Sequence, residues 1–258
     1  MAVRSGSEAK VVLNGLGEYQ KILVAGAKSD LALEILQQIP MAEDAEIILL
    51  GRNLNSFVFP NFLNAFSVQR IEVEFTNVEK TRESIREIFD DMDIDLAIIA
   101  YASLGNEELQ LDSDIYSEVL YTNFYSQALV LNQINSRMLK QMHGQILQIS
   151  SVAGIRPRKR NFVYGVSKFG VDFIAQGLQK QSVEKNVFIT ILRPGFVHTK
   201  MTSNMPPAPF ATEKSKVAKI AARALMKKRR IVYAPRILLV VMLVLKLLPE
   251  RIFRVVDK

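Results

Sequence analysis

Three features of the sequence predict a single doubly wound α/β domain, a parallel sheet with helices on both faces. Short apolar runs alternate with stretches of helical periodicity from Lys21 to Leu192, the pattern of strands joined by crossover helices. The run DLAIIA, Asp95 to Ala100, is apolar without alternation, as suits a parallel strand covered on both faces. The first run stops at a glycine turn and leads straight into a helical pattern, which is how such sheets begin.

Taken in order, Lys21 to Ala25 is the first strand and Gly26-Ala-Lys-Ser-Asp30 its turn, after which Leu31, Ile35 and Leu36 recur at helical spacing. Such a turn is where a dinucleotide pyrophosphate sits, on free N–H groups at the positive end of a helix. It reads equally as an ordinary strand–helix turn with Ser29 as N-cap. Asp30 and Ala32 stand where a full glycine fingerprint has glycine, so Asp30 would bring a carboxylate near the phosphates. Glu46 to Leu50 is the second strand, closed by Gly51-Arg52-Asn53 where an adenosine ribose would lie. Arg52 is either a solvated turn residue or a ligand for a 2′-phosphate through charge-assisted hydrogen bonds, which leans to NADPH.

Arg70 to Glu74 is the third strand, and Val78 to Phe89 a helix with Ile85, Ile88 and Phe89 on one face. After the fourth strand, Asp95 to Ala100, comes the loop Tyr101-Ala-Ser-Leu-Gly105, on the edge where open parallel sheets bind ligands. Asp112 to Met142 reads as one long helical stretch containing Asn123, and Gln145 to Ile149 as the fifth strand with Ser150 and Ser151 at its end. The sixth, Val187 to Leu192, ends in Arg193-Pro-Gly-Phe-Val-His-Thr199. Pro and Gly there would stop the strand and let backbone approach a ligand. The whole, 1–258, is expected to be one domain with an N-terminal extension at 1–20 and an apolar and basic C-terminal segment at 236–258.

Composition narrows the function. An apolar content of 49% excludes disorder. With no Cys, and with His143 and His198 far apart, neither a disulfide framework nor a metal site is expected. The formal charge of +7 is uneven: from Lys214 onward 13 Lys or Arg oppose Glu250 and Asp257 alone. That excess lacks the interleaved aromatics on which bases stack, so no nucleic-acid partner is expected. Residues 1–20 hold no long apolar stretch with a cleavage site, and no secretory signal is expected.

The chemistry concentrates in SVAGIRPRKRNFVYGVSK, Ser151 to Lys168. In a helix, Tyr164-x-x-x-Lys168 puts phenol and ammonium on one face. A fixed positive charge beside a phenol favours phenolate, so the pair makes a tuned general acid. Ser151 is placed to hydrogen-bond the oxygen being protonated. Arg156, Arg158 and Arg160, between them, read as a solvated basic loop or as ligands for a substrate phosphate. The Tyr–Lys spacing alone also arises by chance.

These residues occur in an order that resembles the short-chain dehydrogenase/reductase family over about residues 20–235: the turn at Gly26 to Ala32, Glu74-Phe-Thr-Asn77, Asn123, Ser151, Tyr164-x-x-x-Lys168 and Arg193-Pro-Gly-Phe-Val-His-Thr199. Ile99-Ala-Tyr-Ala102 departs from the family's Asn-Asn-Ala-Gly. The resemblance implies a Rossmann-type fold and an NAD(P)H-dependent ketoreductase, commonly a homo-oligomer. It implies that Tyr164 protonates the carbonyl oxygen, Lys168 holds the nicotinamide ribose and lowers the Tyr164 pKa, Ser151 donates to the carbonyl oxygen, and Asn123 holds a water in a proton path. It assigns the cofactor to Gly26, Lys28, Ser29, Asp30, Leu31, Arg52, Glu74, Phe75, Ala100, Tyr101 and Lys168, and to Pro194, Gly195, Val197 and Thr199 near the nicotinamide.

Within the family the chain is most similar to the decaprenylphosphoryl-2-keto-β-erythro-pentose reductases of actinobacterial cell-wall synthesis. Asn161-Phe-Val-Tyr-Gly-x-Ser-Lys168, Leu192-Arg-Pro-Gly195, Asp30 and Leu248-Pro-x-x-Ile-Phe-Arg254 carry that likeness. It implies a lipid-linked sugar substrate, a flavoprotein oxidase as partner, and NADH. Two other readings stand beside it: a reductase of another amphipathic ketone, such as a long-chain 3-keto lipid or a steroid, and a cofactor-binding subunit without turnover.

Ile237 to Leu248 is apolar all round except for Lys246. Twelve helical residues rise about 18 Å, short of the ~30 Å hydrocarbon core, so this helix does not span a membrane. It either closes the pocket or a dimer contact, or lies on an anionic membrane surface with help from Lys227 to Arg230, Arg251 and Arg254. The expected location is cytoplasmic or peripheral on the inner membrane, with the periplasmic face as the alternative.

Overall fold

The computed structural model describes residues 13–105 and 113–256. Most of the expected N-terminal extension, the start of the long helical stretch at Asp112, and residues 257–258 lie outside them.

Among the described residues nine strands run in chain order as β1 (Tyr19–Ala25), β2 (Met41–Gly51), β3 (Ser67–Glu72), β4 (Leu96–Ile99), β5 (Gly144–Ile149), β6 (Val187–Pro194), β7 (Val197–His198), β8 (Thr212–Glu213) and β9 (Ile231–Ala234). Seven form one sheet in the order β3-β2-β1-β4-β5-β6-β9, and β7 pairs with β8. Every pairing in the large sheet is parallel. Order reverses beside β1, the crevice where open α/β sheets hold ligands.

The strand pleat sorts side chains between two layers. Ile22, Val24, Leu96, Ile98 and Leu147 face α1 (Asp30–Leu36) and α6 (Lys214–Met226). Their neighbours Leu23, Ala25, Ala97, Ile99 and Ile146 face α2 (Val78–Asp91), α4 (Gln127–Gln141) and α5 (Phe162–Ser182). A strand with both neighbours in core must be apolar at each position, which is why DLAIIA shows no alternation.

Several boundaries differ from expectation. β3 begins at Ser67 and ends at Glu72, because it is an edge strand whose mostly solvated residues give little periodicity. β9 is a seventh strand that the sequence did not announce; only Ala234 of its four residues is buried. The expected long helix is divided into α3 (Ser113–Leu120), a π-helical turn at Tyr121–Ser126, and α4. The turn buries Asn123, whose amide bonds the backbone of Ser103 at both ends, and π-bulges of this kind gather at functional sites.

The apolar C-terminal segment forms α7 (Leu238–Leu247) and α8 (Glu250–Val256), separated at Pro249. One face of α7 is buried: Leu238 and Met242 pack with Val152, Ile155 and Tyr233. Among the described residues no helix is long and apolar enough to cross a membrane.

Candidate active site

The carboxyl edge of the sheet gathers the expected catalytic residues. β5 delivers Ser151, which caps a short 3-10 turn at Val152–Gly154: its Oγ accepts the Ala153 N–H at 3.1 Å. Ser151 lies close enough to the Tyr164 side chain to favour its phenolate. Tyr164 lies in the first turn of α5 and Lys168 one turn further on. The turn and the helix pack backbone against backbone. A Cβ on Gly154 would fall 2.7 Å from the Phe169 nitrogen, a separation that only glycine permits.

Burial dominates the electrostatics of the Tyr164–Lys168 pair. Lys168 is buried, its Nζ donating to the Ile149 carbonyl at 3.2 Å and lying 5.9 Å from the centre of the Tyr164 ring. Burial pushes its ammonium down to about 7. Burial also pushes the Tyr164 phenol up to about 12, and neighbouring Ser151 opposes this. Ser151 favours the Tyr164 phenolate against that burial, while Lys168 is itself drawn towards the neutral form by desolvation.

Asn123 is fully buried, and its side chain is committed to Ser103: Oδ1 accepts the Ser103 N–H at 2.7 Å and Nδ2 donates to its carbonyl at 2.6 Å. One lone pair of Oδ1 and one Nδ2 hydrogen remain beyond these two bonds.

Around the glycine turn, Gly26 has φ +99°, and a Cβ there would lie 2.6 Å from the Tyr101 nitrogen. Glycine thus lets the turn close onto Ala100 and Tyr101 at the end of β4. Ser29 is the N-cap of α1, accepting from Ala32 at 3.3 Å. Lys28 is exposed, its Nζ 5.9 Å from the Phe57 ring, and Lys200 meets the same ring at 5.0 Å. Asp30 does not face the turn as a free carboxylate, because its Oδ2 accepts the Lys200 backbone N–H at 2.7 Å. Leu31, Phe75 and Tyr101 send their side chains into the core, which leaves only their backbones for a cofactor. Phe75 and Tyr101 stack at 3.8 Å, and the Tyr101 hydroxyl meets the Ser126 hydroxyl at 2.8 Å. The Tyr in place of the family's smaller residues is therefore a core element. Arg52, at the end of β2, pairs with Glu74 at 3.3 Å, both exposed.

Pro194 at the end of β6 and Val197 in β7 are buried, and Thr199 is half-buried in a capping box with Thr202. Gly195 sits under α7: a Cβ there would meet Leu238 at 2.6 Å. In the basic loop, Arg156 donates to the Leu245 carbonyl, to the Leu248 carbonyl at 2.7 Å and to Glu250 at 3.2 Å, and it stacks 3.8 Å over Phe253. Its guanidinium caps α7, which commits Arg156 to the protein's own C-terminal helices. Arg158 is half-buried and Arg160 exposed.

Sequence reasoning passed over one anchor. Arg193 makes a buried, bidentate pair with Asp172 of α5 at 2.8 and 2.7 Å and donates to the Tyr233 hydroxyl at 2.6 Å. This fixes the helix bearing Tyr164 and Lys168 against the end of β6 and, through Tyr233, β9. Its signal was the Arg193-Pro-Gly195 motif, which gave the position and not the partner.

The sequence profile of a family described as short chain dehydrogenase matches residues 20–209. An uncharacterized oxidoreductase of Mycobacterium tuberculosis is 35% identical over 162 residues, 62% of this chain; the chain spans 65% of that relative's length. In three dimensions the chain is similar to a short chain dehydrogenase from Burkholderia cenocepacia in complex with NADP, with TM-score 0.72 and 18% identity over 90% of this chain and 99% of that one. It is also similar to a 3-oxoacyl-[acyl-carrier protein] reductase from Brucella melitensis in complex with NAD, with TM-score 0.72 and 17% identity over 84% and 96%.

Proposed function

Because the chain belongs to the short-chain dehydrogenase family, we propose that it is an NAD(P)H-dependent reductase of a keto group on a polyprenyl-phosphate-linked pentose. The observation that carries the reductase reading is buried Lys168 one turn along α5 from Tyr164, its Nζ 5.9 Å from the centre of the phenol ring, with Ser151 beside the pair at the end of β5. The residues present suit a dinucleotide: a glycine turn closed onto the end of β4, exposed Lys28 beside it, and Arg52 and Glu74 where a ribose would lie.

Bound nicotinamide would supply the hydride. Tyr164 holds the proton for the carbonyl oxygen, and its high pKa keeps it in the acid form at neutral pH. Ser151, with Oγ accepting from Ala153, has its hydrogen available for the oxygen on which charge grows. Lys168, fixed by the Ile149 carbonyl, positions a ribose hydroxyl.

The pentose reading rests on the subfamily likeness, and the setting supports it: an apolar helix packs over Gly195 and Val152, beside the loop carrying Arg158 and Arg160. A polyprenyl phosphate needs an apolar track next to cations. This makes the enzyme the second half of a ribose-to-arabinose epimerisation, supplied by a flavoprotein oxidase. The use of Arg156 as a helix cap favours one second reading, a reductase of another amphipathic ketone without phosphate. The test generates the lipid-linked ketopentose in situ with its oxidase and follows NADH or NADPH consumption. Reduction that is lost when Arg158 and Arg160 are changed to Gln supports the first reading. Reduction of a long-chain 3-keto lipid, indifferent to those changes, supports the second.

A further inference from the structure

We infer that α7 and α8 form a foot that seats this protein on an anionic lipid surface, directly beside its own catalytic loop. The inference deepens the lipid-linked reading above, and rests on it only for what the surface delivers. Seven aliphatic side chains on these two short helices are between 52% and 73% exposed: Leu239, Val240, Leu243, Val244, Leu247, Ile252 and Val255. On α7 they occupy the face opposite Leu238 and Met242, which are in the protein core. A contiguous apolar face of this kind in water marks an interaction site.

Charge selects the occupant. Arg236, Lys246, Arg251 and Arg254 are exposed on or beside the two helices. The one carboxylate described there, Glu250, is engaged by both Arg156 and Arg254. An aliphatic face rimmed by cations is what an interfacial helix presents to acidic headgroups. A second copy docking by a two-fold axis would set these cations against themselves. Lys227 to Arg230 belong less closely to this surface than the sequence suggested. They precede β9 and α7 follows it, so a strand about 13 Å long separates them.

The foot is moored to the site. Leu238 lies against Gly195, and Val152, next to Ser151, shares the cluster of Leu238 and Met242. Arg156, from the loop joining Ser151 to Tyr164, clamps the far end by capping α7, pairing with Glu250 and stacking on Phe253. Lipid seated on the outer face of α7 would therefore lie one helix thickness, about 10 Å, from the loop that follows Ser151.

Vesicle flotation of the full chain tests this. Phosphatidylglycerol–phosphatidylcholine vesicles should carry most of the protein, phosphatidylcholine alone several-fold less, and added salt should weaken the difference. The triple variant Val240→Gln, Leu243→Gln, Leu247→Gln alters exposed side chains, so its melting temperature and cofactor binding should hold while flotation falls at least several-fold. Absence of wild-type flotation on the anionic vesicles overturns the proposal, as does equal flotation of the triple variant. So does a wild-type dimer that binds no vesicles and dissociates in that variant, which would assign the face to a second copy. No substrate is present, so failure of the pentose reading leaves this result standing, and the reverse.

Discussion

The carboxylate of Asp30 accepts the backbone N–H of Lys200 at 2.7 Å, tying the first turn of α1 to the loop after β7. The two residues are 170 positions apart. At a position where a glycine fingerprint has no side chain, the acidic residue latches together the two segments assigned to opposite ends of the cofactor. The latch predicts a graded response. Asp30→Ala should weaken cofactor binding about fivefold, the effect of losing one hydrogen bond of ~1 kcal/mol. Asp30→Asn, which keeps an acceptor oxygen, should stay near wild type. Fluorescence titration with NADH measures both, and an alanine variant binding as tightly as wild type would show that the latch does not organise the site.

Tyr164→Phe removes the proton donor and leaves the ring, the helix and Lys168 in place. Turnover should fall at least ~10²-fold, as for a lost general acid, with the cofactor dissociation constant unchanged. A variant keeping more than about a tenth of the wild-type rate would exclude Tyr164 as the acid.

Lys168 makes stability depend on pH in a defined direction. Burial holds its folded pKa at about 7, against ~10.4 for an unfolded chain. Between these values the unfolded chain binds more protons at this site, so stability rises with pH from about 7 towards 10. Above about pH 10 Tyr164 acts in the opposite sense, because the unfolded phenol ionises while the folded one, at about 12, keeps its proton. Urea midpoints at about pH 7 and 9 should therefore increase for wild type and change much less for Lys168→Met. Equal increases in the two proteins would assign the dependence to other groups.

Much of this was legible because burial writes itself into composition. β1 and β4 are covered on both faces and read as apolar runs; the glycine turn and the Ser151, Tyr164, Lys168 spacing lie in short stretches of chain. β9 was hidden because it is short, largely solvated at its start, and preceded by Lys227 to Arg230. The directions of side chains were not legible. Arg156 was visible as charge in a loop, but its partners Leu245 and Leu248 are 89 and 92 residues away. Asp172 reads as an ordinary helix carboxylate until β6 brings Arg193 to it. Such roles come from the sheet order, which local patterns do not specify.

The choice between NADH and NADPH turns on Arg52 and Glu74. Arg52 alone would favour a ribose 2′-phosphate, but the Glu74 carboxylate stands 3.3 Å from its guanidinium. That carboxylate both compensates the charge a phosphate would use and repels the phosphate itself, while remaining able to accept a ribose hydroxyl. Both side chains are exposed, so the pair adds little to stability, and substitution should change recognition without unfolding the protein. Glu74→Gln should move the ratio of kcat/KM for NADPH over NADH upward by about fivefold, the effect of ~1 kcal/mol. Arg52→Ala should move it the other way. Measuring both ratios in one assay removes errors in enzyme concentration. If Glu74→Gln leaves the ratio unchanged while Arg52→Ala abolishes NADPH use, Arg52 acts alone and the ion pair has no part in the choice.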